Sequence, residues 1–426
     1  MRYYASGCNL MNPMPGNPNP SHSSGADSSE SVGVVLAGGG SYGAYEVGVM
    51  KALFEGTASV CAGVPLEAQL FAGASVGAIN AAVMVAHAEC GLAKAAATLE
   101  EIWRREIADA PGKCGNGVYR LRGVPPLTNP SCARNPLGLL SDALDDGAYF
   151  LQEWLNGGRR FFNSSGSAAH RILKTLNFAT LLDLRPLANL VADIIPLEAL
   201  GRSKKALKVV ATNFDSGEIR IFENPEIAAV VGHAAILASA AIPLFFPPVQ
   251  IGDDWYVDGG TLQNSPILPA IGTAHTLHVI YMDPDVSSIP VERLQSTLAI
   301  LDRLLVMEWA FTLSQNIEVV DDYNRSYDFF NARHGLPPSG DPRLDQLLKA
   351  ADRVVAASGG PKWWDLTTIH RYHPTDDLGD LTGLLDFRAD RIDALIERGY
   401  RDALMHDCAR DGCVLSSQSE AVRTTL

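Results

Sequence analysis

Short, continuous apolar runs recur along the chain and predict strands that are buried on both faces. The clearest runs are SVGVVLA, QLFAG, ALKVVATNF and HTLHVIYMDP. Runs of this kind are typical of a parallel sheet, because helices cover both of its faces. The segment IGDDWYV has a different character and predicts a hairpin turn that leads into a further short strand.

Helical patterns follow the first two apolar runs. SYGAYEVGVMKALFEG predicts a helix that turns Tyr45 and Val49 toward the sheet and ends at Gly56. The segment SVGAINAAVMVAHAECG is apolar all round, so we expect its helix to lie in the interior. This alternation of strand and helix predicts an α/β fold.

The fold class predicted is therefore a three-layer α/β/α arrangement with a central, mostly parallel sheet. Residues 1–30 are rich in Asn, Pro, Ser and Gly and predict a disordered tail. Residues 31–290 form the α/β domain, and 291–426 form a helical C-terminal region that packs on it. An insertion at about 111–180 is interpreted as a small helical subdomain, with a lid or lipid-facing surface as the alternative.

The segment from Ile227 to Ile251 contains no Asp, Glu, Lys or Arg and has the length of a membrane span. However, Pro243, Pro247 and Pro248 interrupt its second half. We therefore expect one buried helix over IAAVVGHAAILASAAI, followed by an extended segment. The chain also shows no secretory signal pattern, which favours a cytoplasmic location.

Charge and cysteine content restrict the candidate partners. The formal net charge is -14, so nucleic acid and a polybasic membrane anchor are not expected. The seven cysteines are widely spaced and include no Cys-x-x-Cys. This pattern indicates neither a disulfide framework nor a zinc site, and no metal or cofactor is predicted.

The glycine loop in VVLAGGGSYGAYEVGVM admits three chemistries. It satisfies the dinucleotide pattern G-x-G-x-x-G from Gly38 to Gly43 between a strand and a helix. That fingerprint also requires an acidic residue at the end of the next strand, where Gly73, Ala74 and Ser75 stand instead. The loop also contains a G-x-S-x-G match centred on Ser41, and its backbone amides suit an oxyanion.

A second G-x-S-x-G match, in LFAGASVGAINAA, has the strand–turn–helix context that a nucleophilic serine requires. Ser75 stands at its centre, between Gly73 and Gly77. Adjacent parallel strands would bring the Gly38–Gly40 loop and Ser75 to the same sheet edge. One loop would then supply the nucleophile and the other the amide donors for an oxyanion.

The base for such a serine is left open by the residues alone. His275, His278, His370 and His373 follow the serine in the chain, but none stands in a distinctive motif. Asp258 lies in WYVDGGTLQNSP, where taken alone an ordinary Asp-Gly turn is the favoured interpretation.

Taken together, these motifs resemble the patatin-like phospholipase family. The resemblance covers about Ser31 to Pro284 and is carried by GGGSYGAYEVGVMKAL, GASVGAINA, LASAAIPLFFPPVQI and YVDGGTLQNSPI, with a weaker echo in RIDALIERGYRDA. The family's loop often carries a basic residue after its glycines, where Ser41 and Tyr42 stand here. The insertion and the N-terminal tail are outside the resemblance.

The resemblance implies a Ser-Asp dyad without a histidine, in which Ser75 is the nucleophile and Asp258 the base. Gly38, Gly39 and Gly40 fall on the oxyanion-hole glycines, and the other motif glycines are Gly43, Gly73, Gly77, Gly259 and Gly260. The implied activity is hydrolysis of lipid acyl esters, with transient contact at a membrane surface. Acyl transfer and a regulatory protein without activity are the alternatives, and the oligomeric state is not indicated.

Overall fold

The computed structural model describes residues 31–109, 116–121, 143–149, 151–152, 182–243, 245–282, 297–333, 343, 346, 366–379 and 383–416. The predicted tail at 1–30 lies outside the described residues, as does most of the predicted insertion at 111–180.

An eight-stranded, mostly parallel sheet forms the centre of the fold, in the order β10-β9-β1-β2-β5-β8-β7 with β6 paired to β5. A separate pair joins β3 and β4. The strands are β1 Val32–Leu36, β2 Leu70–Ala74, β3 Arg120–Leu121, β4 Leu182–Asp183, β5 Ala206–Asn213, β6 Ile219–Glu223, β7 Val249–Ile251, β8 Asp254–Asp258, β9 Thr276–Ile280 and β10 Thr368–Tyr372.

Helices cover both sides of this sheet, and the predicted three-layer α/β/α class is confirmed. The α-helices are α1 Gly43–Glu55, α2 Val76–Ala86, α3 Leu92–Ile102, α4 Arg185–Ile194, α5 Leu197–Arg202, α6 Asn224–Glu226, α7 Ala234–Ser239, α8 Ile267–Ala270, α9 Thr297–Arg333 and α10 Ala389–Leu404. The π-helical turns Trp103–Ile107 and Ile227–Val231 continue α3 and α6. Short 3₁₀ turns lie at Gly40–Tyr42, Ser59–Cys61, Ala88–Cys90, Gly259–Thr261 and Gly383–Leu385.

Five strands, from β10 through β9, β1 and β2 to β5, run parallel. The strands β6, β7 and β8 complete the far edge in antiparallel pairing. Every residue of β2 is buried, as its continuous apolar run predicts. The carboxyl ends of β1 and β2 lie side by side, with Leu36 paired to Gly73. The two small-residue loops that follow these strands therefore begin at the same edge.

Two expectations about the middle of the chain need correction. IAAVVGHAAILASAAI is not one helix, because Gly232 takes a φ of 62° and separates the turn Ile227–Val231 from α7. Cys90 takes part in a disulfide bond, which the wide cysteine spacing did not indicate. Among the described residues, no helix is long and apolar enough to cross a membrane.

The C-terminal region is not only helical, since it adds β10 to the edge of the sheet beside β9. The helix α10, which contains the predicted RIDALIERGYRDA segment, packs across α1. Gly48 and Gly399 bring the two backbones into close approach: a Cβ on Gly399 would lie 2.0 Å from the carbonyl oxygen of Tyr45. The C-terminal region is thus part of the same core.

Candidate active site

Ser75 occupies a sharp turn between β2 and α2. Its backbone has φ 54° and ψ −129°, a conformation that residues other than glycine rarely adopt. A Cβ on Gly73 would lie 2.3 Å from the carbonyl oxygen of Gly77, and a Cβ on Gly77 would lie 2.4 Å from that of Leu36. The flanking glycines are therefore required by close backbone approach, as the G-x-S-x-G motif predicts.

The buried hydroxyl of Ser239 anchors the Ser75 turn through hydrogen bonds. The amide of Ser75 donates to Ser239 Oγ at 3.0 Å, and Ser239 in turn donates to the carbonyl oxygen of Val210 at 2.6 Å. Ser239 ends α7, and Val210 belongs to β5. This hydrogen-bonded chain fixes the serine turn to the neighbouring strand. The sequence analysis did not single out Ser239, although a polar residue inside the apolar run LASAAIP indicates a specific buried partner.

Asp258 ends β8, and its side chain is held by its own turn. Its Oδ1 accepts a hydrogen bond from the amide of Gly260 at 2.7 Å, and its amide donates to the carbonyl oxygen of Ala241 at 3.0 Å. A Cβ on Gly259 would lie 2.2 Å from the carbonyl oxygen of Val210, so only glycine fits at that position. The Asp-Gly-Gly turn therefore packs directly against the strand that supports Ser75.

The Asp258 carboxyl lies in an apolar environment. Burial raises its pKa to about 7, while the Ser75 hydroxyl and the Gly260 amide lower it. Its Oδ2 is buried and accepts no hydrogen bond of standard geometry, although the Ser75 hydroxyl is near enough to act on the carboxyl. A serine–carboxylate hydrogen bond at this position is one that would tighten when a substrate is bound.

The three loop glycines do not have equal roles. Gly38 lies beside Ser75, and its amide donates to the carbonyl oxygen of Asn264 at 3.1 Å. This contact makes Gly39 and Gly40 the better candidates for oxyanion donors. The Asn264 side chain closes a second hydrogen bond, from Nδ2 to the carbonyl oxygen of Gly38 at 3.2 Å. Among the hydrogen bonds of the described residues, neither the Gly39 nor the Gly40 amide donates to another protein group.

Ser41, the competing serine of the glycine loop, is buried and already has a partner. Its hydroxyl donates to the carbonyl oxygen of Gly383 at 2.7 Å, which ties the loop to the C-terminal region. Gly43, at the start of α1, faces the serine turn: a Cβ there would lie 2.7 Å from a methyl group of Val76. The first G-x-S-x-G match is therefore structural.

The candidate histidines lie elsewhere. His275 is bonded to Ser31, and the ring of His278 is buried beside the Tyr372 hydroxyl at 3.0 Å. His370 stacks on His278, and His373 stacks on Tyr281. Within the described part of the chain, no histidine lines either of the two cavities that reach Ser75.

Two cavities meet at Ser75 and Gly40. The larger, of about 180 Å³, is also lined by Asp258, Gly39 and residues of α9, among them Leu301, Leu305 and Trp309. Trp309 donates from Nε1 to the carbonyl oxygen of Gly260 at 2.8 Å, so α9 is bonded to the Asp-Gly-Gly turn. The smaller, of about 40 Å³, is almost wholly apolar and is lined mainly by Ile79, Trp103, Leu187, Phe246, Leu384 and Phe387.

The sequence analysis did not identify α9 as part of the site. The segment LAILDRLLVMEWAF shows helical periodicity, but periodicity does not indicate which distant element a helix covers. The structure brings Ser75, Asp258 and the Gly39–Gly40 amides to one cavity. This arrangement combines a hydroxyl, a carboxylate and free amide donors, which are the components of acyl transfer through serine.

A patatin-like phospholipase family model matches residues 34–271. A search of curated proteins found no match. Among solved structures, VipD from Legionella pneumophila is similar, with a TM-score of 0.33 and 14% identity. The alignment covers 88% of this chain and 66% of that chain, so this chain spans slightly less than two thirds of the VipD chain.

The matched segment contains β1, the glycine loop, the Ser75 turn and the Asp258 turn. It also extends over more than half of the chain, since it runs from residue 34 to residue 271 of 426. The chain belongs to the patatin-like phospholipase family.

Proposed function

We propose that this protein hydrolyses lipid acyl esters through a Ser75 acyl-enzyme, with Asp258 as the base. Family membership supports a lipid acyl hydrolase in general. The observation that carries the finer proposal is that Ser75, Asp258, Gly39 and Gly40 all line one cavity.

In this mechanism, Asp258 accepts the Ser75 proton while Ser75 Oγ attacks the acyl carbonyl carbon. The amides of Gly39 and Gly40 donate to the oxyanion, a contribution of about 3–4 kcal/mol for one such donor in comparable sites. The proton then passes from Asp258 to the departing alcohol, leaving an acyl-enzyme. Water, deprotonated by Asp258, then attacks the ester carbonyl carbon. The proton passes from Asp258 to Ser75 Oγ as its bond to the acyl carbon breaks, which releases the fatty acid and regenerates the serine.

The two cavities divide the substrate between them. The smaller one is apolar and begins at Ser75, so it suits the first carbons of an acyl chain. The larger one also holds the carboxylate and opens toward α9, so it suits the departing alcohol and the attacking water. The preferred acyl group would then be set by side chains such as Trp103 and Phe246.

Contact with a membrane surface is supported by the outer face of α9. Ile300, Leu304, Met307 and Phe311 recur at helical spacing on this helix and are 48–65% exposed. The neighbouring Leu301, Leu305 and Trp309 line the larger cavity. An exposed apolar stripe beside the substrate cavity suits docking on a lipid surface.

The test is fatty-acid release from a short acyl ester and from phospholipid vesicles. We expect activity in the unaltered protein and its loss in Ser75→Ala and Asp258→Asn, each with a native circular dichroism spectrum. Ser216→Ala, in an exposed turn, is the matched control and should keep full activity. Activity that survives in Ser75→Ala would contradict the proposal.

Two alternatives are separated by two further measurements. An acyltransferase would form the same acyl-enzyme, and an added alcohol or thiol acceptor would then compete with water and yield a new ester or thioester. A regulatory protein without activity would show no covalent adduct at Ser75 by mass spectrometry, neither a phosphonyl group after exposure to a fluorophosphonate nor an acyl group after exposure to an activated ester.

A further inference from the structure

Two histidines and two cysteines meet at the end of the sheet formed by β10. His370 belongs to β10, while His406, Cys408 and Cys413 belong to the segment that follows α10. One ligand atom from each side chain lies within 4.8 Å of all the others. Both histidines are buried, and both cysteines are half-buried and outside any disulfide bond.

Three of the six distances between these atoms match those in a tetrahedral centre. Cys408 Sγ lies 3.4 Å from His370 Nδ1 and 3.7 Å from His406 Nε2, and Cys413 Sγ lies 3.5 Å from His406 Nε2. In a tetrahedron with zinc–sulfur bonds of about 2.3 Å and zinc–nitrogen bonds of about 2.0–2.1 Å, sulfur and nitrogen are separated by about 3.6 Å. These three pairs are already at ligand spacing, and the other pairs, within 4.8 Å, need only small side-chain shifts.

The groups around the cluster are those that support metal ligands. The remaining ring nitrogen of His406, Nδ1, lies 2.9 Å from Asp411 Oδ2. Asp411 is in turn held by Arg410, whose Nε lies 2.7 Å from Oδ1. The amide of Arg371 points at Cys413 Sγ at 3.4 Å. A carboxylate behind a histidine orients its ring, and an amide donor stabilises a thiolate.

We propose that His370, His406, Cys408 and Cys413 bind one zinc ion. Binding would release one proton from each cysteine thiol to solvent, and two thiolates with two neutral imidazoles give a site of zero net charge. Four protein ligands complete a tetrahedron and leave no open position, so the ion is structural. Two soft thiolates with two imidazoles favour zinc over magnesium or calcium.

The zinc ion would fasten the C-terminal segment to the sheet. The segment already pairs with β10, since the Ile369 and Val414 backbones exchange hydrogen bonds at 2.7 and 3.0 Å. A metal at this point would close the loop between β10 and the end of α10. The site lies outside both cavities at Ser75 and takes no part in the proposed hydrolysis.

The sequence analysis expected no metal because its search relied on Cys-x-x-Cys spacing. Here the ligand order is one histidine on a strand, followed much later by His406-x-Cys408 and then Cys413. Only the fold brings the strand histidine to the other three.

The experiment measures zinc by mass spectrometry in the full chain, with any affinity tag removed. We expect about one zinc per chain in the unaltered protein and in Cys61→Ser, and less than about a tenth in Cys408→Ser/Cys413→Ser. Cys61 is the matched control, because its free thiol is also half-buried but instead donates to the Leu53 carbonyl. A chelator should lower the melting temperature of the first two proteins only.

Cobalt substitution gives a second measurement that does not depend on whether the double variant folds. Unaltered protein that is stripped, reduced and supplied with Co²⁺ should show tetrahedral d–d bands and a thiolate-to-cobalt charge-transfer band. Absence of these bands together with no retained zinc would overturn the proposal and leave a hydrogen-bonded thiol–imidazole cluster. Equal zinc in the double variant would also overturn it, by placing the metal elsewhere.

Discussion

Ser75 combines a side chain with a backbone conformation that favours glycine. Strain of this kind costs about 1–3 kcal/mol and is maintained only when the surrounding contacts enforce it. Here the enforcing contacts are the close approach of Gly73 to Gly77 and the hydrogen bond to Ser239.

Removing this strain should stabilise the protein and abolish its chemistry. We expect Ser75→Gly to raise the free energy of unfolding by about 1 kcal/mol relative to Ser75→Ala, which keeps a Cβ at φ 54°. Urea unfolding of the two variants measures the difference. Equal stabilities would show that the turn is not strained.

We expect the rate of hydrolysis to fall as the pH drops below neutrality, because Asp258 becomes protonated. Only the ionised carboxylate accepts the Ser75 proton, so kcat/KM should fall about tenfold per pH unit below a pKa of about 7. An aspartate with the ordinary pKa of about 4 would place this fall at much lower pH. His275→Asn is the control and should show the same fall, because His275 does not line the cavities. A rate that stays constant down to pH 5 would refute this.

The Asp258 carboxyl also contributes to the stability of the fold, and this contribution changes with pH in the opposite direction to the activity. Because folding raises the pKa of Asp258 above its unfolded value, its contribution is most favourable in acid and declines as pH rises through about 7. Asp258→Asn should therefore melt higher than the unaltered protein above pH 7, and the difference should disappear in acid.

At the scale of single residues, the sequence identified the residue types of the site but not their hydrogen bonds or their pKa values. Ser75, Asp258 and the glycines stand in motifs, so their positions could be predicted. The hydrogen bond from the Gly38 amide could not be predicted, because its acceptor is the carbonyl of Asn264, 226 residues further along the chain. The raised pKa of Asp258 depends on burial, which a motif does not report.

At the scale of helices and strands, the packing of α1 against α10 depends on close contact between their backbones. A Cβ on Gly48 would lie 2.0 Å from the carbonyl oxygen of Ile396, and Gly399 is equally close to Tyr45. Glycine is unfavourable inside a helix by about 1 kcal/mol, so its presence at both positions indicates that close packing is worth more.

We expect Gly399→Ala to lower the free energy of unfolding by about 1–3 kcal/mol, since the added methyl group forces the helices apart. Gly147→Ala is the matched control, because residues 143–149 are helical and a Cβ on Gly147 meets nothing within 4 Å. That control should be neutral or stabilising by up to about 1 kcal/mol. A stabilising Gly399→Ala would contradict the packing argument.

The main strands could be predicted because each is a continuous apolar run. The break in the middle helix was missed because the φ of 62° at Gly232 leaves the apolar pattern unchanged. The edge strand β10 was missed because TIHRY mixes polar and apolar residues and gains its place only by pairing with β9.

For the whole molecule, the exposed stripe on α9 and the net charge of -14 together predict how it would meet a lipid surface. A strongly negative protein gains little from anionic lipids, so docking should rest on apolar contact. Burying one large apolar side chain contributes about 1.5–3 kcal/mol.

We expect Leu304→Ser/Phe311→Ser to reduce fatty-acid release from phospholipid vesicles by at least about tenfold. Hydrolysis of a short soluble ester should be unchanged, since these side chains are exposed and do not line the larger cavity. Val64→Ser is the control, because Val64 is 68% exposed but lies outside α9. A parallel loss on the soluble ester would instead indicate damage to the site.

The double hydrogen bond between Gly38 and Asn264 has a consequence for how this enzyme can diversify. Asn264 follows the Asp258 turn closely, and its side chain lies against Gly260. The glycine loop and the aspartate turn are therefore linked directly, so we expect a change that shifts the proposed base also to shift the proposed amide donors. Evolution or laboratory selection for new substrates should accordingly accept substitutions in the cavity walls, such as Phe246 and Leu305, and reject them at Asn264.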